Sequence, residues 1–199
     1  GATQSITGVG FQPDMVWSKN RSTTFNHQIN DAVRGVNKQI APNLTNAQET
    51  NTGELTAFGS DGFTVGSGGT LNGSGNNIVS WNWLANGGTT STNTEGSITS
   101  TVQASTKAGF SIVKYTGTGS AATIGHGLST APTFIAVKNL DDNATSWYVY
   151  MNATRSGSAN TYFMKFDSAD AQSDTGAVWN DTSPTSSVFS VGGEDTSNK

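Results

Sequence analysis

The feature that most constrains this chain is that it repeats itself. Pro13-Asp14-Met15-Val16-Trp17-Ser18-Lys19-Asn20 aligns with Pro132-Thr133-Phe134-Ile135-Ala136-Val137-Lys138-Asn139 at an offset of 119 residues, and both read as a proline, an extended apolar run and Lys-Asn. The same offset lays Gly8-Val9 on Gly127-Leu128. Farther on, Arg34 in Asp31-Ala32-Val33-Arg34-Gly35 matches Arg155 in Asn152-Ala153-Thr154-Arg155-Ser156 at 121, and Phe63-Thr64-Val65-Gly66 matches Phe189-Ser190-Val191-Gly192 at 126. The offset grows as loops of the second copy lengthen. A fixed spacing of this kind marks one structural unit used twice, so the two copies are expected to fold alike. Pro13 should take the place of Pro132, and Phe63 that of Phe189.

Within each copy the apolar residues are spaced for strands. In Val79-Ser80-Trp81-Asn82-Trp83 every second position is apolar, the period that puts Val79, Trp81 and Trp83 on one face of a strand. Tyr162, Met164 and Phe166 follow the same rule, with Phe163 and Lys165 facing away. The runs Phe110 to Tyr115, Phe134 to Val137 and Trp147 to Met151 are denser in β-branched and aromatic residues and suit strands covered on both faces. Turn-forming clusters such as Gly59-Ser60-Asp61-Gly62 and Leu140-Asp141-Asp142-Asn143 separate them. Ser, Thr, Asn and Gly supply 96 of the 199 residues, and these residue types disfavour helix through side-chain competition for backbone hydrogen bonds and through lost entropy. Any helical turn near Asp31 to Val33 would be stopped by Gly35 and Pro42.

The predicted fold class is therefore all-β, with two tandem antiparallel β-sandwich modules of jelly-roll-like kind. The first module spans 1–84 and the second 97–199. Between them, Ala85 to Gly96 holds one alanine and no larger apolar side chain, so 85–96 reads as a Gly/Thr/Asn-rich linker. The copies are cut at different places. Phe110 to Tyr115 precedes the proline motif of copy two, and its counterpart in copy one would lie before Gly1. Ile78 to Trp83 closes copy one, and its counterpart would begin past Lys199. The first module is thus expected to lack its N-terminal strand and the second its C-terminal strand, as in a window on a longer array or a subunit completed by a neighbour.

Composition narrows function more than it identifies it. Ten Lys and Arg against 14 Asp and Glu give a net charge of −4, with no basic stripe to neutralise phosphates, so duplex nucleic acid is not an expected partner. With no Cys there is no disulfide framework, thiolate metal site or cysteine nucleophile. Hydrophobic residues make up 33% without a run of membrane-spanning length, so membrane insertion is not expected. Gly1 to Gly10 has neither the cationic nor the apolar part of a signal peptide.

One string carries a resemblance. Gly109-Phe110-Ser111-Ile112-Val113-Lys114-Tyr115-Thr116-Gly117-Thr118-Gly119, followed by Thr123-Ile124-Gly125-His126-Gly127-Leu128 and the Ala131-Pro132 to Lys138-Asn139 strand, resembles a repeat domain of tail-fibre and other virion structural proteins of marine and cyanobacterial phages. Val178-Trp179-Asn180-Asp181-Thr182-Ser183-Pro184-Thr185-Ser186-Ser187-Val188-Phe189-Ser190 and Ser60-Asp61-Gly62-Phe63-Thr64-Val65-Gly66 are similar to its later strands. The resemblance covers nearly the whole chain and implies an extracellular virion component. It carries over no catalytic or binding residue.

Several local patterns invite a chemical reading. Gly117-Thr118-Gly119-Ser120-Ala121-Ala122 follows a strand as a dinucleotide-binding loop does, but Thr123 to Gly127 cannot supply the helix that motif requires, and a hairpin turn is expected. His126 stands between glycines with no local carboxylate or nucleophile, and Thr7 occupies its place in copy one, so its role reads as structural or solvent-exposed. Asp167, Asp170 and Asp174, or Asp141 and Asp142, could hold calcium, although their spacing fits solvated turns better. Of the tryptophans, Trp17, Trp81 and Trp83 in period-two strands read as core, and Trp147 and Trp179, beside polar loops, as the glycan-contacting surface aromatics. No cofactor, metal or catalytic residue is assigned.

The resulting expectation is a non-enzymatic structural segment of an extracellular fibre, a phage tail fibre or other virion appendage involved in host attachment. The alternative is a carbohydrate-binding module or adhesin repeat of a secreted or surface protein. Expected partners are other copies of the chain, neighbouring fibre proteins and a host surface glycan.

Overall fold

The computed structural model describes residues 1–154 and 158–199; Arg155, aligned above with Arg34, lies outside the described residues. The first half carries β1 (Gln4–Thr7), β2 (Met15–Asn20), β3 (Gln28–Asp31), β4 (Lys38–Ile40), β5 (Glu49–Thr50), β6 (Leu55–Gly59), β7 (Gly62–Val65) and β8 (Ile78–Trp83). Then come β9 (Ser91–Asn93), β10 (Ser100–Ser105) and β11 (Phe110–Tyr115). The second half carries β12 (Ala122–Gly125), β13 (Phe134–Val137), β14 (Tyr148–Met151), β15 (Tyr162–Lys165), β16 (Ser173–Asp174) and β17 (Val188–Val191). Among the described residues, helix is confined to single turns: α1 (Gly69–Asn72), α2 (Asp195–Asn198) and two 3-10 turns at Asn152–Thr154 and Ala159–Thr161. The chain is all-β, and every ladder between named strands is antiparallel.

Among the described residues five sheets form, in the orders β1-β7-β6, β5-β4-β3-β2-β8, β11-β10-β9, β13-β14-β15-β16 and β12-β17. Their registers coincide across the two halves. In β1–β7 the pairs are Gln4 with Val65, Ser5 with Thr64, Ile6 with Phe63 and Thr7 with Gly62. In β12–β17 they are Ala122 with Val191, Thr123 with Ser190, Ile124 with Phe189 and Gly125 with Val188. Likewise Met15 pairs with Asp31 and Trp17 with Ile29 in β2–β3, while Phe134 pairs with Met151 and Ala136 with Val149 in β13–β14. Each half then ends its edge ladder in an asparagine-held turn. The Asn72 amide of α1 donates to the carbonyls of Ala2 and Gly66, both at 2.6 Å, and the Asn198 amide of α2 donates to the carbonyl of Ser120. Neither turn was visible as helix in a chain so rich in glycine and threonine.

Three apolar clusters lie between the layers. On β2, alternation sends Val16 to one side, where it meets Leu55, Phe63, Val65 and Leu71, and Met15 and Trp17 to the other. On that other side Ile29 and Ile40 meet Trp147, with Ala136 and Leu140 beside them. The five-stranded sheet thus packs on β6–β7 with one face and on the four-stranded sheet with the other. The far face of the four-stranded sheet buries Tyr150, Phe163, Val137 and Trp179 against Ile124, Phe189 and Val191 of β12–β17. Each fully buried side chain of this kind contributes about 1.5–3 kcal/mol, which is how a chain this polar sustains a fold.

The segment expected as a free linker is tied at both ends. Asp14 is fully buried, and its Oδ2 accepts the backbone N–H groups of Ala85, Asn86 and Gly87 at 2.7, 2.9 and 2.9 Å. Ala85 is buried, Gly87 and Gly88 turn the chain with φ of 84° and 96°, and Ser91–Asn93 joins the edge of β10. Side-chain composition alone cannot foresee this, because it is the backbone of 85–93 that is recruited. The hairpin β10–β11 then bridges the halves: Gln103 donates to Asp14 Oδ1 at 3.4 Å, and Phe110 stacks on Trp83 at 6.2 Å.

Candidate functional site

The sequence pattern placed Trp147 and Trp179 at the surface, and the structure buries both. Trp179 is 1% exposed, with its indole N–H donating to the Tyr162 carbonyl at 3.0 Å and its ring edge-on to Tyr150. Trp147 is 5% exposed and donates to the Ala41 carbonyl at 3.0 Å, across the interface between the halves. Polar loops flank both in sequence, but Trp179 packs among Tyr150, Phe163 and Phe189 and Trp147 against Ile29 and Ile40. Conversely, Trp81, assigned to the core by its period-two strand, is 46% exposed. The reason is that β8 is the last strand of its sheet, so one face meets solvent at the edge. Phe134 on β13, at the edge of the four-stranded sheet, is 45% exposed for the same reason.

These edge positions assemble an aromatic row. Trp81 sits directly opposite Trp17 in the β2–β8 ladder, with ring centroids 6.0 Å apart at 64°. Trp17 lies 6.2 Å from Phe166, which follows β15, and Phe166 lies 5.9 Å from Phe134. Trp147 supports Phe166 from below at 6.2 Å. Phe166 is itself 37% exposed, so three of the four rings in the series Trp81, Trp17, Phe166, Phe134 face solvent. His27 fixes the tilt of the half-buried Trp17: its Nδ1 accepts the indole N–H at 2.9 Å, leaving the proton on Nε2. Burial, and then the charge of Lys19, lower the His27 pKa below the ordinary imidazole value, which keeps that acceptor neutral. Rings held in this way offer flat apolar faces to the C–H surface of a sugar or to another apolar chain. The signal that could have found the row was edge position rather than periodicity.

The remaining sequence candidates resolve into structural contacts. His126 is 2% exposed; its Nδ1 accepts the Leu128 N–H at 3.1 Å and its Nε2 donates to the Thr185 carbonyl at 3.2 Å. Burial lowers its pKa, with the Thr185 carbonyl and Glu95 opposing. The loop Gly117 to Ala122 is not a hairpin turn: it carries the chain from β11 to β12, strands of different sheets, and the Asn198 Oδ1 accepts the Thr118 N–H at 3.0 Å. Asp167 accepts the Trp147 N–H at 2.8 Å, Asp170 pairs with Lys165 at 3.3 Å, and Asp142 closes a turn onto the Ala144 N–H at 2.6 Å. No group of three His, Asp or Glu side chains able to hold a metal occurs among the described residues. Asp31 and Arg34 form a buried pair at 2.5 Å, with the guanidinium also donating to the carbonyls of Ile29 and Lys38 and to Gln48, a brace for the β3–β4 connection.

Fold and site together define an all-β protein of stacked, mainly antiparallel layers with a solvent-facing aromatic row at their edge. Residues 1–199 match the family described as Domain of unknown function (DUF7483), and the chain belongs to that family. No curated protein and no solved structure matches it.

Proposed function

We propose that the chain is a non-enzymatic structural segment of an extracellular fibre, a phage tail fibre or other virion appendage engaged in host attachment, built from two tandem β-sandwich modules over 1–84 and 97–199. The observation that supports it most is the shared register: β1–β7 and β12–β17 pair residue for residue, as do β2–β3 and β13–β14. Stacked copies of one module are an economical way to span distance, since each new unit reuses the interface of the last. The phage assignment draws on the strings Gly109 to Gly119 and Val178 to Ser190. Antibodies raised against the chain should label an appendage of the particle in electron micrographs and slow adsorption to the host. Particles that carry no label would refute the assignment. The purified protein should leave host capsule and cell-wall polysaccharide intact, and turnover abolished by changing one Asp or Glu would overturn the non-enzymatic reading.

A second reading, a carbohydrate-binding or adhesin repeat, is favoured by the exposed row of Trp81, Phe166 and Phe134 beside Trp17. Under it, immobilised host glycans retain the protein, and Trp81→Ala or Phe134→Ala weakens retention by roughly tenfold, the loss of one stacked ring. Retention unaffected by either substitution would remove the row from consideration.

A further inference from the structure

We propose that the cleft between β1 and β8 is a docking groove for a β-hairpin of the chemistry of Ile98 to Tyr115, donated by an adjoining module. The cleft encloses about 450 Å³ and is lined by Ile6 of β1, Phe63 and Val65 of β7, Leu71 and Asn72 of α1 and Ile78 of β8. Both rims are sheet edges, since β1 ends the three-stranded sheet and β8 the five-stranded one. Polar Gln4, Ser74, Asn76 and Ser80 also line the cleft beside these apolar side chains, and a free strand edge beside such a cleft is the arrangement that accepts an added strand, through backbone pairing for affinity and side-chain pockets for selectivity.

The second half of the same chain identifies the occupant, and here the inference rests on the two-module reading given above. The residues equivalent to Ile6, Phe63, Val65, Leu71 and Asn72 are Ile124, Phe189, Val191, Ser197 and Asn198, and around them the space is filled. Ile98 runs parallel beside Ile124, its N–H donating to the Thr123 carbonyl at 3.1 Å. Ser97 and Thr123 exchange hydrogen bonds at 2.9 Å in each direction. Val113 and Tyr115 of β11 pack on the same core, Tyr115 lies edge-on to Phe189 at 6.3 Å, and its hydroxyl donates to the Ser197 carbonyl. The consequence is measurable at one pair of residues. Ile6 and Ile124 stand in the same register opposite Phe63 and Phe189, yet Ile124 is 0% exposed and Ile6 38%. All four residues of β1 are exposed, while β12 is half-buried to buried. A small molecule could fill the volume but could not pair with the open edge. A hairpin does both, placing an Ile beside Ile6, a tyrosine ring edge-on to Phe63 and that tyrosine's hydroxyl on the Leu71 carbonyl.

The test supplies that hairpin to the full chain. Residues 91–118 are joined directly to Gly1, reproducing the Thr118–Gly119 junction of the second half. Hydrogen exchange at Ser5, the counterpart of Thr123 whose N–H donates to Ser97 Oγ, should slow by on the order of tenfold or more, as its open-edge amide becomes protected, and Tm should rise. Ile6→Asp should abolish both gains, each measured against the unextended chain carrying the same substitution, and Tyr115→Phe within the added hairpin alone should reduce them. A synthetic peptide of residues 91–118, labelled and added in trans, should bind the unextended chain saturably at one per chain. Absence of protection in the extended chain, or protection that survives Ile6→Asp, would overturn the proposal. Docking in vitro together with unlabelled virions would reject the fibre reading alone, and labelled virions with an undocked hairpin would reject this inference alone.

Discussion

Trp147 should be the side chain that holds the two halves together, and truncating it should be expensive in a particular way. It is 5% exposed, packs on Ile29 and Ile40 of the other half, and hydrogen-bonds the Ala41 carbonyl at 3.0 Å. A tryptophan buries up to about 250 Å², which at about 25 cal/mol per Å² gives an upper bound of about 6 kcal/mol. Measured truncations of buried Trp fall at about 3–5 kcal/mol, and the orphaned Ala41 carbonyl adds about 1 kcal/mol. Against a typical total of about 5–15 kcal/mol, Trp147→Ala should lower the urea midpoint strongly. It should also split the transition, because the lost contact lies between the halves rather than inside either core. Trp147→Phe keeps much of the apolar contact and loses the hydrogen bond, and should cost about 1–2 kcal/mol with a single transition. Unfolding followed by both far-UV dichroism and tryptophan fluorescence reads the split as non-coincident curves. A Trp147→Ala protein that unfolds at the wild-type midpoint in one coincident step would refute the reasoning.

Two further outcomes follow from buried polar groups. His126 and His27 both have pKa values lowered below 6.5, chiefly by burial, so the unfolded chain binds more protons as pH falls through that value; stability should be level above about pH 7 and decline between 6.5 and the lower folded values. Urea midpoints measured from pH 7.5 to 5.5 check this, and midpoints that stay flat or rise as pH falls contradict it. Asp14→Ala removes the acceptor of three N–H groups; it should cost about 2–4 kcal/mol and speed exchange at Ala85 to Gly87, and unchanged exchange there would show that Asp14 does not anchor the segment.

Alternation was legible wherever a strand has one neighbouring layer or two, because the pleat fixes which residues share a face regardless of what covers it. Phe163 and Phe166 point to opposite sides as their spacing required, one into the core with Trp179 and one into the aromatic row. The alignment of Phe63 with Phe189 was equally readable, since both lie opposite an isoleucine in an edge ladder. Hidden from sequence were contacts made by backbone. Asp14 looks like a turn residue beside Pro13, and nothing local announces that its carboxylate collects three amides 71 to 73 positions away.

The inversion among the tryptophans has one physical cause. A period-two pattern says that Trp81 and Trp83 share a face, and it says nothing of whether the face lies mid-sheet or at an edge. β8 closes its sheet, so Trp81 is left half in solvent while Trp83 is covered by Phe110 from the bridging hairpin. Trp147 precedes β14, whose sheet is covered on one face by β12–β17 and on the other by the partner half. Any large side chain there is buried twice over, whatever the polarity of its neighbours in sequence. Local polarity reports on loops, and burial is decided by the layers those loops connect; Trp81 and Phe134 stay exposed because they lie on terminal strands, and Phe166 because it lies just past the end of β15. That leaves Trp81, Phe134 and Phe166 exposed and gives structural cohesion to Trp147 and Trp179, and it ties both outcomes to where strands lie and end rather than to composition.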